Sequence, residues 1–220
     1  MLFFIINPLI FYIYGFIISI DNINLKIGEM FHEKYSTTWG NGYIGREVTR
    51  QWLEKDSSAE FYIISRTGNN KLKDKRIHNL CADVTDYDSV ASVLPKDIAC
   101  IIDFIGRPEK DSKELIKINK QPAEVMLNIA KNYNVDKMGF IGGVLGPKSF
   151  TDIKADIIKM LQSSKKRVEY VEPTVVYGKD RNDALAKMVP IFKCLGVFSK
   201  KLKPVRVEDV ANELITKLTR

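Results

Sequence analysis

Cysteine and histidine are scarce in this chain of 220 residues: the cysteines are Cys81, Cys100 and Cys194, the histidines His32 and His78. The cysteines are widely spaced, odd in number and form no C-x-x-C pair, which excludes a disulfide framework and a zinc site and points to a reducing compartment. Neither histidine falls in a triad or metal-ligand spacing, so no metal site is expected. Blocks of one charge sign are also few. Lys and Arg number 34 against 27 Asp and Glu, a net charge of +7, yet basic residues gather only at 71–76, 165–167 and 200–203. The rest are scattered like solvated helix ends and loops, so no nucleic-acid face is expected. No internal repeat and no low-complexity linker follow residue 40. With 45% apolar and 28% charged residues, the chain is neither disordered nor wholly a membrane protein, and its length suits about one domain with a real core.

Charge is missing altogether from residues 1–20, a length of apolar chain that reads as a membrane-anchor candidate. Against an anchor stand Pro8 inside the run, the lack of a preceding Lys or Arg, and only Asp21 and Lys26 close behind it. A secretory signal is a poor match, because the basic start and the small-residue cleavage site are missing. Cytoplasmic placement is the expectation, with membrane anchoring through residues 1–20 as its alternative. Among the first 26 residues only Met1, Pro8, Gly15, Ser19 and Asp21 need a G or C in every codon, the look of translated AT-rich non-coding DNA. Residues 32–39 are polar and unlike a buried strand. Back-translated with AT-rich codons and read one base later, they spell Met-Lys-Asn-Ile-Val-Leu-Leu-Gly, a start followed by an apolar strand that runs into Gly40. Residues 1–39 are therefore a membrane anchor with a polar tail or the product of a frame slip; in the second case the chain is expected to lack its first strand. Residues 40–220 form the expected globular domain.

From Gly40 onward strand-like and helix-like segments alternate. Ile44, Val48, Trp52 and Leu53 follow a helical spacing, and Phe61 to Ile64 form a short β-branched and aromatic run. Residues 77–84 read as a strand, and 86–94 as a helix with Asp86 as N-cap and Pro95 as stop. Residues 98–105 are nearly all apolar, as in a strand buried on both faces of a parallel sheet. Residues 112–133 have a helical pattern interrupted by Pro122. A strand at 137–141, a helix at 150–162, a strand at 168–176 and helices at 184–195 and 207–218 complete the series. Such alternation predicts an α/β, Rossmann-like, doubly wound parallel sheet, with an atypical N-terminal segment in place of its first strand.

The strongest chemical signal is Gly40-Asn-Gly42-Tyr43-Ile44-Gly45, a G-x-G-x-x-G turn directly before a helix. In such a turn the first glycine allows the tight bend, the second lets the backbone approach a pyrophosphate, and the third lets helix and strand pack closely. The helix N-terminus adds free N–H groups and the positive end of its dipole. After the next strand, where an NAD site places a carboxylate on the ribose, stand Ser65, Arg66 and Thr67. Arg66 suits a 2′-phosphate through charge-assisted hydrogen bonds, so NADP is the expected cofactor, with NAD as the alternative.

That turn, followed in order by ISR (64–66), ADVTD (82–86), IIDFIG (101–106), GFIGGVLGP (139–147), VEPTVVYG (171–178) and VRVEDVA (205–211), resembles the atypical short-chain dehydrogenase/reductases. The nearest branches are the NAD(P)H-binding, epimerase/dehydratase-like and isoflavone-reductase-like ones, over about residues 40–219. The resemblance implies a cofactor site on Gly40, Gly42, Tyr43, Ile44, Gly45, Arg66, Asp83, Val84, Gly106, Lys154 and Pro173, with Asp83 on the adenine and Pro173 near the nicotinamide. It also implies a Tyr-x-x-x-Lys pair and a serine. Matching Lys154 to the family lysine puts Phe150 where the tyrosine belongs and Gly142 and Gly143 near the serine position. Ser149 and Thr151 lie close enough in sequence to stand in. Tyr43 and Tyr177 are read as core or pocket-lining aromatics. Lys154 is thus the sole catalytic candidate, either binding the nicotinamide ribose or acting without the tyrosine; the bland alternative is an exposed helix lysine. The function implied is an NAD(P)-dependent oxidoreductase or epimerase-like enzyme on an unknown small molecule, and the alternative is a non-catalytic dinucleotide sensor or assembly factor.

Overall fold

The structure is a computed structural model that describes residues 34–38, 40–178, 181, 190 and 203–220. The anchor and leader readings of residues 1–33, the helix expected at 184–195 and Cys194 lie outside them. In chain order the elements are β1 (Lys34–Thr38), α1 (Tyr43–Lys55), β2 (Glu60–Ser65), β3 (Ile77–Cys81), α2 (Tyr87–Ala91), β4 (Ile98–Asp103), α3 (Ser112–Asn132), β5 (Lys137–Ile141) and α4 (Lys148–Gln162). There follow β6 (Arg167–Val171), β7 (Val176–Tyr177), β8 (Val205–Arg206) and α5 (Val207–Thr219). Strands β1 to β6 form one sheet in the order β3-β2-β1-β4-β5-β6, and every pairing is parallel. This is the doubly wound Rossmann order, whose direction of winding reverses between β1 and β4. The short pair β7-β8 is separate. The sheet lies within the compact unit Glu33–Arg220.

Side chains of β4 show why its run is almost uninterrupted in hydrophobicity. Ile101 belongs to the core shared with α3 and α4, whereas Cys100 and Ile102 belong to the core shared with α1 and α5. Both faces are therefore covered, which favours apolar side chains along the strand up to Asp103 at its C-terminal end. Asp86 caps α2 by accepting from the Asp88 and Ser89 amides. Pro122 does not interrupt α3, which runs unbroken through it. Its missing N–H removes a hydrogen bond, but the proline is buried beside Ala123, Val125 and Met126, and that packing holds the helix together. The strand expected over 168–176 ends at Val171, and Val176 starts β7.

The expectation tied to the frame-slip reading, that the chain lacks its first strand, is not met. Polar as it is, Lys34–Thr38 forms β1 at the centre of the sheet, hydrogen-bonded to β2 on one side and β4 on the other. Both neighbours present a row of backbone donors and acceptors that must be paired when buried, and the pairing does not depend on side-chain hydropathy. Alternation turns Tyr35 and Thr37 into the core. Tyr35 meets the rings of Trp52 and Phe61 at centroid distances of 4.3 and 5.3 Å. Thr37 is fully buried, and its hydroxyl has no hydrogen-bond partner.

Candidate functional site

The site is built on the C-terminal ends of the strands, on either side of the reversal between β1 and β4. After β1 the chain turns through Gly40, where a Cβ would lie 2.1 Å from Thr37 Oγ1. A Cβ on Gly45 would lie 2.7 Å from the Gly40 Cα. The first and third glycines thus permit the contact that closes the turn. Gly42 is the N-cap of α1; no side chain caps the helix there, and no acidic residue lies in its first turn. The amides and dipole of this 13-residue helix are left for an external anion. Asn41 ties the turn to the β2–β3 loop through Nδ2, which donates to the Asn69 carbonyl at 2.8 Å.

The backbone from Ile105 to Arg107, just past β4, separates two cavities. It is fastened from two sides. Lys154 of α4 donates Nζ–H to the carbonyls of Ile105 at 2.6 Å and Ile141 at 2.9 Å. Asn119 of α3 accepts from the Arg107 amide at 3.2 Å and donates to the carbonyls of Arg107 and Leu115 at 3.0 and 2.9 Å. Gly106 lies between these two side chains, and a Cβ there would sit 2.5 Å from Lys154 Nζ.

The larger cavity, about 400 Å³, is lined by Ile44, Gly106, Lys154 and Pro173, together with Phe104, Ile141, Phe150, Val176 and Arg181 among others. Its described wall carries no carboxylate, and Thr174 supplies its single hydroxyl, which donates to the Lys203 carbonyl. Lys154 is 2% exposed, so the exposed-lysine reading is excluded. Its ammonium lies 4.4 Å from the centre of the Phe140 ring and 6.0 Å from that of Phe150. Burial pushes its pKa down to about 8, opposed in part by the nearby Asp103 carboxylate. Asp103, at the end of β4, accepts from the Ile105 amide at 2.8 Å.

A second cavity of about 240 Å³, on the other side of the strip, is lined by Arg66, Asp83, Val84, Arg107 and Lys117 among others. Asp83 accepts from the Thr85 amide at 2.9 Å and the Thr85 hydroxyl at 2.8 Å. These bonds hold its carboxyl below the usual range, with Lys117 and Arg66 adding to the effect and burial opposing it.

The residues singled out in the sequence therefore converge. Ile44, Gly106, Lys154 and Pro173 line one cavity, Arg66, Asp83 and Val84 the other, and Gly40, Gly42, Tyr43 and Gly45 form the turn at the head of α1. Phe150 and Gly143 sit on the cavity wall in the positions assigned to the missing tyrosine and serine. Ser149 and Thr151 do not stand in for them: neither lines the cavity, and the Thr151 hydroxyl donates to the Lys148 carbonyl at 3.0 Å. Tyr43 and Tyr177 are off this wall, and the Tyr43 ring carries the Arg181 guanidinium at 5.1 Å. Sequence reasoning missed Asn119, Asp103 and Arg181. Asn119 had a faint signal, a polar residue among the apolar positions of a helix. Among the described residues no cluster of metal-ligating side chains occurs, and no helix is long and apolar enough to cross a membrane.

The fold recurs in solved structures. The Bordetella bronchiseptica enzyme WbmH, in complex with NAD+, is 15% identical with a TM-score of 0.65, over 85% of this chain and 72% of that one. The UDP-glucose 4-epimerase of Thermus thermophilus, in complex with NAD, is 16% identical with a TM-score of 0.65, over 85% and 75%. The UDP-Glc/GlcNAc 4-epimerase of Campylobacter jejuni is 13% identical with a TM-score of 0.65, over 85% and 74%. No curated protein matches the chain. A family model does, from the last residue of β1 to just beyond β7, residues 38–180 and well over half of the sequence. With its glycine turn, its strand order and that match in agreement, the chain belongs to the NAD dependent epimerase/dehydratase family.

Proposed function

We propose that this chain binds a nicotinamide adenine dinucleotide, NADP in preference to NAD, and acts as an oxidoreductase or epimerase-like enzyme on a small molecule. The carrying observation is the division of the site by residues 105–107 into an apolar cavity holding Lys154 and a second one holding Arg66 and Asp83. That layout fits the two unequal halves of a dinucleotide, with the side-chain-free cap of α1 close to its diphosphate. When bound, the cofactor supplies or accepts a hydride. Arg66 pairs with the 2′-phosphate, Asp83 accepts from the adenosine half, and Ile44, Phe104 and Pro173 keep water from the reacting face. Lys154 gives two of its three N–H donors to carbonyls. The third is available to a ribose hydroxyl or a substrate oxygen, and a pKa of about 8 lets the amine exchange a proton near neutral pH.

The test is a fluorescence titration with NADPH and NADH. Wild-type protein should prefer NADPH, and Arg66→Ala should erase the preference, because a charge-assisted hydrogen bond is typically worth ~1.5–3 kcal/mol. Equal affinities in the unmutated protein would refute the assignment of Arg66. A second reading, a dinucleotide sensor or assembly factor without turnover, is favoured by Phe150 in the proton-donor position and by the near absence of hydroxyls from the described wall. Cofactor binding without NADPH oxidation across a broad carbonyl panel would select it.

A further inference from the structure

One cation is already tied to the glycine turn: Arg46, in the first turn of α1, donates Nη1 to the Asn41 carbonyl at 2.6 Å. A second cation reaches the head of α1 from much later in the chain. The guanidinium of Arg181 lies 5.1 Å from the centre of the Tyr43 ring, and Tyr43 is the first residue of the helix. Arg181 Nη1 also donates to the Val176 carbonyl at the start of β7. Its side chain lines the larger cavity together with Ile44, the second residue of α1. Gly178 makes this approach possible. Its φ is +139°, and a Cβ there would lie 3.0 Å from Glu208 Oε2 and 3.4 Å from the Tyr43 hydroxyl, so Gly178, just past β7, lies directly against Tyr43 at the turn.

We infer that Arg181 is a further anion-binding residue of the dinucleotide site, taking the cofactor's diphosphate beside the α1 N-terminus. The inference rests on the dinucleotide reading above. A guanidinium held over an aromatic face and tied to a carbonyl loses little freedom when it meets a ligand, and its planar fork matches two phosphate oxygens. Nothing on the described cavity wall repels an anion there. The Glu208 carboxylate, near Gly178, is paired with Arg206 Nε at 3.3 Å. The diphosphate is the anion this position serves, because the uncapped N–H groups of α1 start at the residue whose ring supports Arg181.

The experiment compares ADP-ribose with adenosine, by calorimetry or ligand-observed NMR, on the full chain. Arg181→Gln should weaken ADP-ribose at least ~10-fold, as loss of a charge-assisted contact predicts, and leave adenosine unchanged. The salt dependence of ADP-ribose binding should flatten in the same variant. Arg181→Lys, which keeps the charge but loses the fork, should fall between the two and guards against a fold loosened by Arg181→Gln. Unchanged ADP-ribose affinity, or an equal loss for adenosine, overturns the inference. So does an effect confined to UDP-glucose added to NADH-saturated protein, which would give the arginine to a substrate phosphate. If wild-type protein binds neither ADP-ribose nor adenosine, the dinucleotide reading itself fails, and this inference with it. A retained NADPH-over-NADH preference in Arg181→Gln separates the residue from Arg66.

Discussion

Replacing Lys154 with methionine removes a buried charge while keeping most of the side chain's length, and the consequence for stability depends on pH. The folded-state pKa is about 8 against 10.5 for an unperturbed lysine, lowered chiefly by burial. Below about pH 8 the amine is protonated in both the folded and the unfolded chain, so the wild-type protein carries the full penalty of a buried ammonium. Between about 8 and 10.5 the unfolded chain holds the proton and the folded chain does not. Stability attributable to this group therefore rises with pH across that window. At ~1.36 kcal/mol per pKa unit, wild type should gain ~2–3 kcal/mol relative to Lys154→Met between pH 7.5 and pH 10. The neutral amine still has two N–H donors, so the Ile105 and Ile141 carbonyls stay satisfied and the pH-dependent part isolates the charge. Urea unfolding of both proteins at several pH values, with midpoints and slopes compared, measures the difference while cancelling every other titrating group. A wild-type-minus-variant difference that stays flat from pH 7.5 to 10 would show that water reaches the ammonium and that its proton affinity is ordinary.

Two predictions concern neighbouring residues. Thr37→Val exchanges the partnerless hydroxyl in the middle of β1 for a methyl of the same shape, and should stabilise the fold by ~1–3 kcal/mol, the usual penalty of an unsatisfied buried polar group; a lower melting temperature in the variant would contradict it. Phe150→Tyr restores a phenol to the cavity one helical turn before Lys154, and should raise NADPH-dependent carbonyl reduction by ~10²–10⁴-fold if a proton donor is what limits the rate. A Gly143→Ser partner is sterically open, since its Cβ would approach no closer than 3.4 Å to Phe150, whereas at Gly142 it would meet Glu172 at 2.7 Å. Stopped-flow single turnovers give the measurement, and an unchanged rate in the double variant with cofactor bound would mean that Lys154 does not serve the family lysine's role.

Much of the fold was legible in the sequence, because its signals are local. Helical spacing at Ile44, Val48 and Trp52, the near-continuous run of β4 and the three glycines at the head of α1 each encode their own conformation within a few residues. The four-residue step from Phe150 to Lys154 likewise placed both side chains on one face of a helix, and the cavity contains both. What the sequence could not decide was whatever depends on partners distant along the chain. Lys34–Thr38 has the composition of a surface segment, yet it is the central strand, because two flanking strands impose their hydrogen-bond ladders on any backbone placed between them. The family resemblance singles out Lys154 in the sequence but says nothing of its burial; only the ends of β4 and β5, converging on it with the Ile105 and Ile141 carbonyls, make it a buried cation with a lowered pKa. Asn119 and Arg181 acquire their positions in the same way, one from the loop it fastens and the other from a ring more than a hundred residues away along the chain. Periodicity and glycine placement are properties of a short stretch of chain, whereas burial, pairing and charge environment are properties of what the folded chain brings beside it.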